Sequence, residues 1–225
     1  LLYLAAAGVG RIGIVDADTV SLSNLQRQVI HTTERLGMLK VDSAKLHIAS
    51  VNPHVTVETY PVRITVENAL ELISAYDIVA DGCDNFPTRF MVSDACYFAQ
   101  KTLVSAAVGQ FDGQISTYKP HVKMADGTPY PSYRCFLGEL PARGSFPACE
   151  EAGVMGALPG IIGSMQAMEV IKELLEIGDS LAGRIVMYDA LWSRFFETKL
   201  AWNPDNPLNG RVPAVTRLDP ANYRD

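Results

Sequence analysis

The sequence lacks several features that would assign it at once to a functional class. It has no cluster of lysine and arginine, and its formal net charge is −6. Because clustered cations neutralise nucleic-acid phosphates, this balance disfavours a nucleic acid as the main partner. It also lacks the run of ~20 apolar residues that a membrane helix needs, so we expect no membrane partner. The longest apolar stretch, residues 158–175, is interrupted by Pro159, Gln166, Glu169, Lys172 and Glu173.

Cysteine is also scarce, and its spacing excludes two kinds of cross-link. The four cysteines lie far apart, and no signal peptide is recognisable, which favours free thiols in a reducing cytoplasm over a disulfide framework. Ser132-Tyr133-Arg134-Cys135 has one thiol where a C-x-x-C half-site has two, and a closed structural zinc site needs four ligands. We therefore expect no zinc. The four cysteines are Cys83, Cys96, Cys135 and Cys149.

What is present is the composition of one globular domain: 225 residues, 48% hydrophobic and 20% charged. Strand and helix patterns alternate, which predicts an α/β fold with a Rossmann-like, doubly wound, mostly parallel sheet extended by antiparallel strands. We predict one domain over 1–225, with an irregular excursion at 119–150 and a loosely packed tail at 203–225. The predicted helices are 39–51, 66–75, 85–100 and 157–177. The predicted strands are 12–15, 55–60, 78–81, 102–107, 111–118 (a hairpin partner), 184–188 and 195–200.

The first ten residues are typical of the second half of a helix that ends at a glycine. They begin with apolar residues from Leu1 onward, and Gly8 and Gly10 follow. They have neither the basic start nor the cleavage pattern of a targeting segment. We therefore expect a segment that belongs before Leu1 to be missing.

The most informative stretch follows the strand predicted at 12–15. Asp16 closes this strand, and an acidic residue there can accept hydrogen bonds from ribose hydroxyls. The polar turn from Ser23 to Arg27 then leads to Lys40 at the start of the next helix. A planar guanidinium and a compact ammonium both suit phosphate oxygens, so we predict an ATP site. Alone, Asp16 could cap a turn, the two cations could be solvated, and Asn24 and Gln26 could stabilise the turn.

A second candidate cluster is Asp81-Gly82-Cys83-Asp84-Asn85, where a predicted strand meets a helix N-terminus. Ligands of open α/β sheets bind outside the carboxyl ends of the strands. Asp84 is therefore a candidate ligand of Mg²⁺, a hard cation that takes carboxylate and phosphate oxygens. The simpler alternative is that Asp84 or Asn85 is only the N-cap of the helix.

Cys149, in the excursion, is a candidate nucleophile. A cysteine on such a loop can attack an activated acyl group if its environment lowers its pKa. A cysteine without a catalytic role remains the alternative.

Together these motifs resemble the bacterial ThiF/MoeB/HesA type of the ubiquitin-activating-enzyme superfamily, closest to the molybdopterin-synthase adenylyltransferases. The resemblance runs from Leu4 to about Leu200. It departs from the family at the missing strand and glycine-rich loop before Leu1 and at the absent zinc cysteines. The motifs that carry it are 4–10, 16–28, Lys40, 84–85, 149–153, 163–169 and 187–190.

The resemblance implies that the chain adenylates the C-terminal glycine of a small ubiquitin-like sulfur-carrier protein ending in Gly-Gly, with ATP and Mg²⁺, as a cytoplasmic homodimer. It implies that Asp16 holds the ribose, Lys40 the phosphates and Asp84 the magnesium. The remaining nucleotide-binding residues that it implies are Ser23, Asn24, Leu25, Gln26, Arg27 and Asn85. It also implies that Arg27, Lys40 and Asp84 are catalytic residues. Cys149 would be a possible thioester or persulfide carrier.

Three alternatives stay open. A related enzyme could act on another carboxylate, such as a dehydratase that cyclises a threonyl-carbamoyl group on tRNA. A nicotinamide-dependent oxidoreductase would use Asp16 but would leave Arg27, Lys40 and Asp84 without a duty. A non-catalytic relative would dock carrier proteins or pair with an active partner.

Overall fold

The computed structural model describes residues 1–141 and 153–224. The chain alternates helices and strands through its first half, as predicted. Single 3₁₀ turns lie at Leu22–Asn24, Thr33–Arg35 and Pro220–Tyr223. The helices are α1 (Leu2–Ala6), α2 (Lys40–Val51), α3 (Ala69–Ser74), α4 (Phe86–Phe98), α5 (Tyr133–Leu137) and α6 (Leu158–Leu175). The strands are β1 (Arg11–Val15), β2 (Thr56–Tyr60), β3 (Ile78–Asp81), β4 (Thr102–Val108), β5 (Asp112–Tyr118), β6 (Arg184–Asp189) and β7 (Arg194–Lys199).

Local sequence explains where the main helices begin and end. Helix α2 ends at Val51 because Pro53 disfavours a helical conformation in Asn52, which is extended. Helix α4 begins after Asn85, whose side chain caps it, and has a proline in its first turn. Helix α6 ends where Glu176 adopts a left-handed conformation, with φ of 53°.

The strands form two sheets that combine parallel and antiparallel pairs. Strands β1 and β2 pair in parallel, joined by a crossover through α2. The second sheet has the order β3-β4-β5-β6-β7, in which β3 and β4 are parallel and the later pairs are antiparallel. The predicted α/β class, with parallel strands extended by antiparallel ones, is confirmed, and so is the prediction that 111–118 pairs as a hairpin partner. The prediction of a mostly parallel sheet is wrong for the described residues, where three of the five strand pairs are antiparallel.

Helices cover both faces of the larger sheet. On one face, Ile162 and Val170 of α6 lie in apolar clusters with residues of β4 and β5. On the other, Phe90 of α4 packs with Leu103 and Tyr118. Each fully buried side chain of this kind stabilises the fold by about 1.5–3 kcal/mol. Around β4 and β5 both faces are therefore core, whereas β7 is exposed along its length, and the ends of the strands are left for a site.

The tail differs from the loosely packed segment that the sequence predicted, because five of its residues are buried, Asn209 among them. Asn206 and Leu208 are each 1% exposed, and Val215 and Tyr223 are also buried. Asn206 Nδ2 donates to Ser132 Oγ at 2.7 Å and to Cys135 Sγ at 2.9 Å. These hydrogen bonds anchor the tail to the start of α5, in the described part of the excursion.

A buried ion pair makes a second anchor. Arg134 of α5 donates three hydrogen bonds to the Asp94 carboxylate of α4 at 2.8–3.1 Å, two from Nε and one from Nη2. Tyr223 Oη donates to the same carboxylate at 2.9 Å. Asp94 is fully buried, so it depends on these partners to offset its desolvation.

Residues 1–141 and 153–224 contain neither a membrane-spanning helix nor a cluster of metal ligands. No helix there combines the length and apolarity needed to cross a bilayer. No group of three or more histidine, cysteine, aspartate or glutamate residues there could hold a metal ion.

Candidate active site

The end of β1 presents Asp16 at the edge of the parallel pair. The Asp16 N–H donates to Tyr60 O at 3.2 Å, which extends the pairing with β2 by one residue. The chain then turns, and the Asp18 N–H donates to Asp16 Oδ1 at 2.8 Å. This side chain to backbone bond is the usual way in which aspartate fixes a turn, and it leaves Asp16 Oδ2 on the side of the turn that faces Lys40.

Lys40, the first residue of α2, contacts the same turn. Its Nζ lies 3.0 Å from Asp18 Oδ2 and 3.8 Å from Asp16 Oδ2, and its side chain is 14% exposed. The Lys40 N–H also donates to Asp18 O at 2.9 Å. The structure thus brings together two predicted site residues, Asp16 and Lys40. It adds Asp18, which sequence reasoning missed because the turn after Asp16, and not a strand pattern, brings its carboxylate beside Lys40.

The polar turn at 21–28 is held by its own side chains. Asn24 is 5% exposed, and its Oδ1 accepts from the Ser21 N–H at 3.2 Å. Arg27 Nη1 donates to Ser23 O at 2.9 Å. Asn24 therefore has the turn-stabilising role that the sequence left open. Leu25 is partly buried, while Ser23 and Gln26 are exposed.

His31 is a neighbour of this site that the sequence reasoning did not single out. It is 9% exposed, and its Nδ1 lies 2.9 Å from Ser43 Oγ on α2. Burial lowers the pKa of His31 below its usual value, the Lys40 charge lowers it further, and Asp16 opposes this effect. The imidazole is therefore neutral at physiological pH. A single histidine in one sequence shows no pattern that marks a site residue, so sequence reasoning could not have identified His31.

The end of β3 is fixed by Asp81, which is buried. Asp81 Oδ1 accepts from the Cys83 N–H at 2.8 Å, and Asp81 Oδ2 accepts from Ser105 Oγ at 3.0 Å. Arg89 lies 3.8 Å from the same carboxylate and donates to Cys83 O. Gln166 of α6 donates from Nε2 to Asp81 O at 2.8 Å. These contacts tie the backbone of the loop 82–84 to Asp81 and Arg89.

The same environment affects the thiol in this loop. Burial raises the pKa of Cys83, and the Asp81 carboxylate raises it further. Cys83 is therefore a protonated thiol at neutral pH and is not poised as a nucleophile.

The sequence left open whether Asp84 or Asn85 is the N-cap of α4, and the structure distinguishes the two residues. Asn85 Oδ1 accepts from the Thr88 N–H at 2.9 Å, which makes Asn85 the N-cap of α4. Asp84 is exposed and receives a 3.2 Å hydrogen bond from Asn85 Nδ2 on its Oδ1. Because the cap is supplied by Asn85, the Asp84 carboxylate is available to a ligand.

The predicted site residues thus fall into separate groups in the described part of the chain. Asp16 and Lys40 are in contact, and Arg27 contacts Ser23 of its own turn. Within residues 1–141 and 153–224, no hydrogen bond or ion pair joins Asp84 to Asp16, Arg27 or Lys40. Their convergence on one pocket stays a prediction. Cys149 lies outside the described residues.

Comparison with known proteins returned one family and several relatives. Residues 1–208 match the family described as "ThiF family". The chain is 47% identical over 218 residues to the sulfur carrier protein adenylyltransferase of Thermus thermophilus, covering 97% of this chain and 80% of the relative. It is 42% identical over 219 residues to the SAMP-activating enzyme E1 of Haloferax volcanii, covering 96% of this chain and 78% of the relative.

Longer relatives and solved structures also match. The chain is 42% identical over 217 residues to mouse adenylyltransferase and sulfurtransferase MOCS3, covering 96% of this chain but 46% of that protein. Among solved structures, E. coli MccB superposes with a TM-score of 0.76 at 17% identity, covering 94% of this chain and 61% of MccB. At that identity the likeness supports the fold alone.

Proposed function

The chain belongs to the ThiF family, and from that premise we propose that it adenylates the C-terminal glycine carboxylate of a small ubiquitin-like sulfur-carrier protein. The reaction consumes ATP and releases pyrophosphate. The names of two relatives, a sulfur carrier protein adenylyltransferase and an E1 enzyme of which the chain covers 80% and 78%, support this activity. The observation in the structure that carries it is the Lys40 ammonium beside the Asp16 and Asp18 carboxylates at the end of a parallel strand.

The chemistry needs little from acid–base catalysis. A carboxylate oxygen of the carrier attacks the α-phosphorus of ATP, the bond to the β-phosphate bridging oxygen breaks, and pyrophosphate leaves with that electron pair. The protein's task is to hold the two reactants in line and to stabilise charge on the phosphates. In the proposed arrangement Asp16 accepts from the ribose hydroxyls, while Lys40 and Arg27 donate to phosphate oxygens.

The proposed magnesium ligand is Asp84. Mg²⁺ in nucleotide sites is usually held by one or two carboxylates together with substrate phosphates and water. An exposed carboxylate that is not used as a helix cap fits this requirement. When bound, the ion would neutralise phosphate charge. Asp84 would hold it at the N-terminus of α4, where the loop fixed by Asp81 limits the movement of the carboxylate.

We also propose a homodimer in the cytoplasm. The apolar residues of α6 support the first part, because they divide into two sets. Ile162 is 2% exposed and belongs to the core, whereas Ile161 and Met168 are 38% and 59% exposed. The exposed set is available to a second copy of the chain, and sedimentation of the purified protein would measure the oligomeric state.

The test of the activity is direct. The protein is incubated with ATP, magnesium and a carrier that ends in Gly-Gly, and the intact mass of the carrier is measured for the addition of AMP. A carrier without its last glycine serves as the control. We expect AMP on the complete carrier only, together with carrier-dependent ATP–pyrophosphate exchange.

Other results would point elsewhere. Exchange that depends on a different carboxylate would indicate a related ligase or dehydratase, and carrier binding without exchange would indicate a docking protein. Turnover of NADH without exchange would refute the proposal. Cys149→Ala should leave adenylation intact, because the thiol is not needed for attack on phosphorus.

A further inference from the structure

Gly156 lies directly against the polar turn that holds Gln26. A Cβ atom built at Gly156 would come within 3.0 Å of the backbone oxygen of Gln26, and 2.6 Å from Gln26 Oε1. Real side chains do not approach backbone atoms so closely, so any larger residue at 156 would have to displace the turn. Gly156 comes just before α6, far from Gln26 in the sequence.

The need for glycine here is steric and not conformational. The φ of Gly156 lies outside the left-handed region, so alanine could adopt its backbone conformation. Two glycines inside α6 offer a contrast, because a Cβ at Gly160 or Gly163 would meet nothing within 4 Å. Alanine at 156 would therefore disturb the contact with Gln26, whereas alanine at 160 or 163 would disturb no such contact.

Neither side of this contact can move freely. On one side, the Met155 N–H donates to Gln110 O at 3.2 Å, just beyond β4, and Leu158 is 1% exposed in an apolar cluster. On the other side, the N–H groups of Arg27 and Gln28 both donate to Asn24 O, at 3.0 and 2.9 Å. An added methyl group would therefore strain two anchored segments, of which the exposed turn at 26 has fewer buried contacts to lose.

We propose that Gly156 is a positioning residue for the polar turn from Ser23 to Arg27. Because Gly156 has no side chain, Gln26 can lie against its backbone, and this contact sets the position of Arg27. The proposal rests on the proposed function, in which the turn from Ser23 to Arg27 binds ATP. It adds that the segment leading into α6 takes part in ATP binding without touching ATP.

The experiment compares Gly156→Ala with Gly160→Ala and Gly163→Ala in carrier-dependent ATP–pyrophosphate exchange. We expect Gly156→Ala to raise the KM for ATP by about tenfold or more, since overpacking and small misplacements of binding groups have effects of this size. The KM for the carrier should not change. The two control variants should keep the wild-type KM for ATP, and thermal unfolding is measured for all of them.

Each outcome decides the matter. A wild-type KM for ATP in folded Gly156→Ala would overturn the inference, and so would an equal rise in the two control variants. If Gly156→Ala does not fold, the double variant G156A/Q26G is examined, because glycine at 26 lets the turn yield. Restored folding would support the contact, and failure to restore it would overturn the inference. Absence of exchange in the wild type would refute the proposed function instead.

Discussion

The neighbours Asp84 and Asn85 allow a ligand-binding role to be separated from a structural one. We compare Asp84→Ala with Asn85→Ala and use Asn85→Asp as the matched control. The structure assigns the helix cap to Asn85, whose Oδ1 accepts from the Thr88 N–H at 2.9 Å. Asp84 is exposed and is joined to Asn85 by a 3.2 Å hydrogen bond.

The magnitudes follow from these contacts. Loss of the cap should lower the free energy of unfolding of Asn85→Ala by about 1 kcal/mol, which for a chain of this size corresponds to about 2–4 °C in Tm. Asn85→Asp keeps an acceptor oxygen at the cap and should be close to wild type. Removal of the exposed Asp84 carboxylate should change stability by less than about 0.5 kcal/mol.

Activity should show the opposite order. Asp84→Ala should lower carrier-dependent ATP–pyrophosphate exchange by about a hundredfold or more, because removal of one group that stabilises transition-state charge costs this much. Asn85→Ala should lose less activity, since its amide oxygen is already committed to the helix. Urea unfolding and exchange rates at saturating magnesium measure the two quantities on the same preparations.

Either of two results would contradict these roles of Asp84 and Asn85. If Asp84→Ala keeps wild-type exchange, Asp84 does not hold the magnesium. If Asp84→Ala is destabilised as much as Asn85→Ala, its carboxylate serves the helix and the division of roles between the two residues is wrong.

Three further predictions concern the turn, the tail and pH. Arg27→Ala should lower exchange by about a hundredfold and change stability by less than about 0.5 kcal/mol; undiminished exchange would remove Arg27 from the site. Arg134→Met should lower the free energy of unfolding in urea by about 3–5 kcal/mol, because the buried Asp94 loses its cation. Tyr223→Phe should lower the free energy of unfolding by about 1.5–3 kcal/mol, since one 2.9 Å hydrogen bond to Asp94 is lost. Equal losses in Arg134→Met and Tyr223→Phe would contradict this account. Because folding lowers the pKa of His31, the unfolded chain binds more protons below pH 6.5, and wild-type stability should fall as the pH drops through that value. His31→Gln should reduce that fall, and an unchanged pH profile would argue against this role.

Local patterns in the sequence were sufficient for the order of the elements and for some side-chain roles. Short apolar runs predicted β3 and β4 close to their observed bounds, Ile78–Asp81 and Thr102–Val108. The sequence before α4 identified Asn85 as a possible cap, which the structure bears out. Such features depend on hydrogen bonds and side-chain spacing within a few residues, so one stretch of chain determines them.

Contacts between distant residues were decided by the tertiary structure alone. The approach of Lys40 to Asp16, of Gly156 to Gln26 and of Tyr223 to Asp94 depends on how α2, α6 and the tail pack against the rest of the chain. The tail appeared loosely packed because its proline and asparagine residues carry no periodic pattern. Its burial is fixed by side-chain hydrogen bonds to distant partners, such as that from Asn206 Nδ2 to Ser132 Oγ. No local pattern encodes those pairings, because each exists only once the two segments have been packed together.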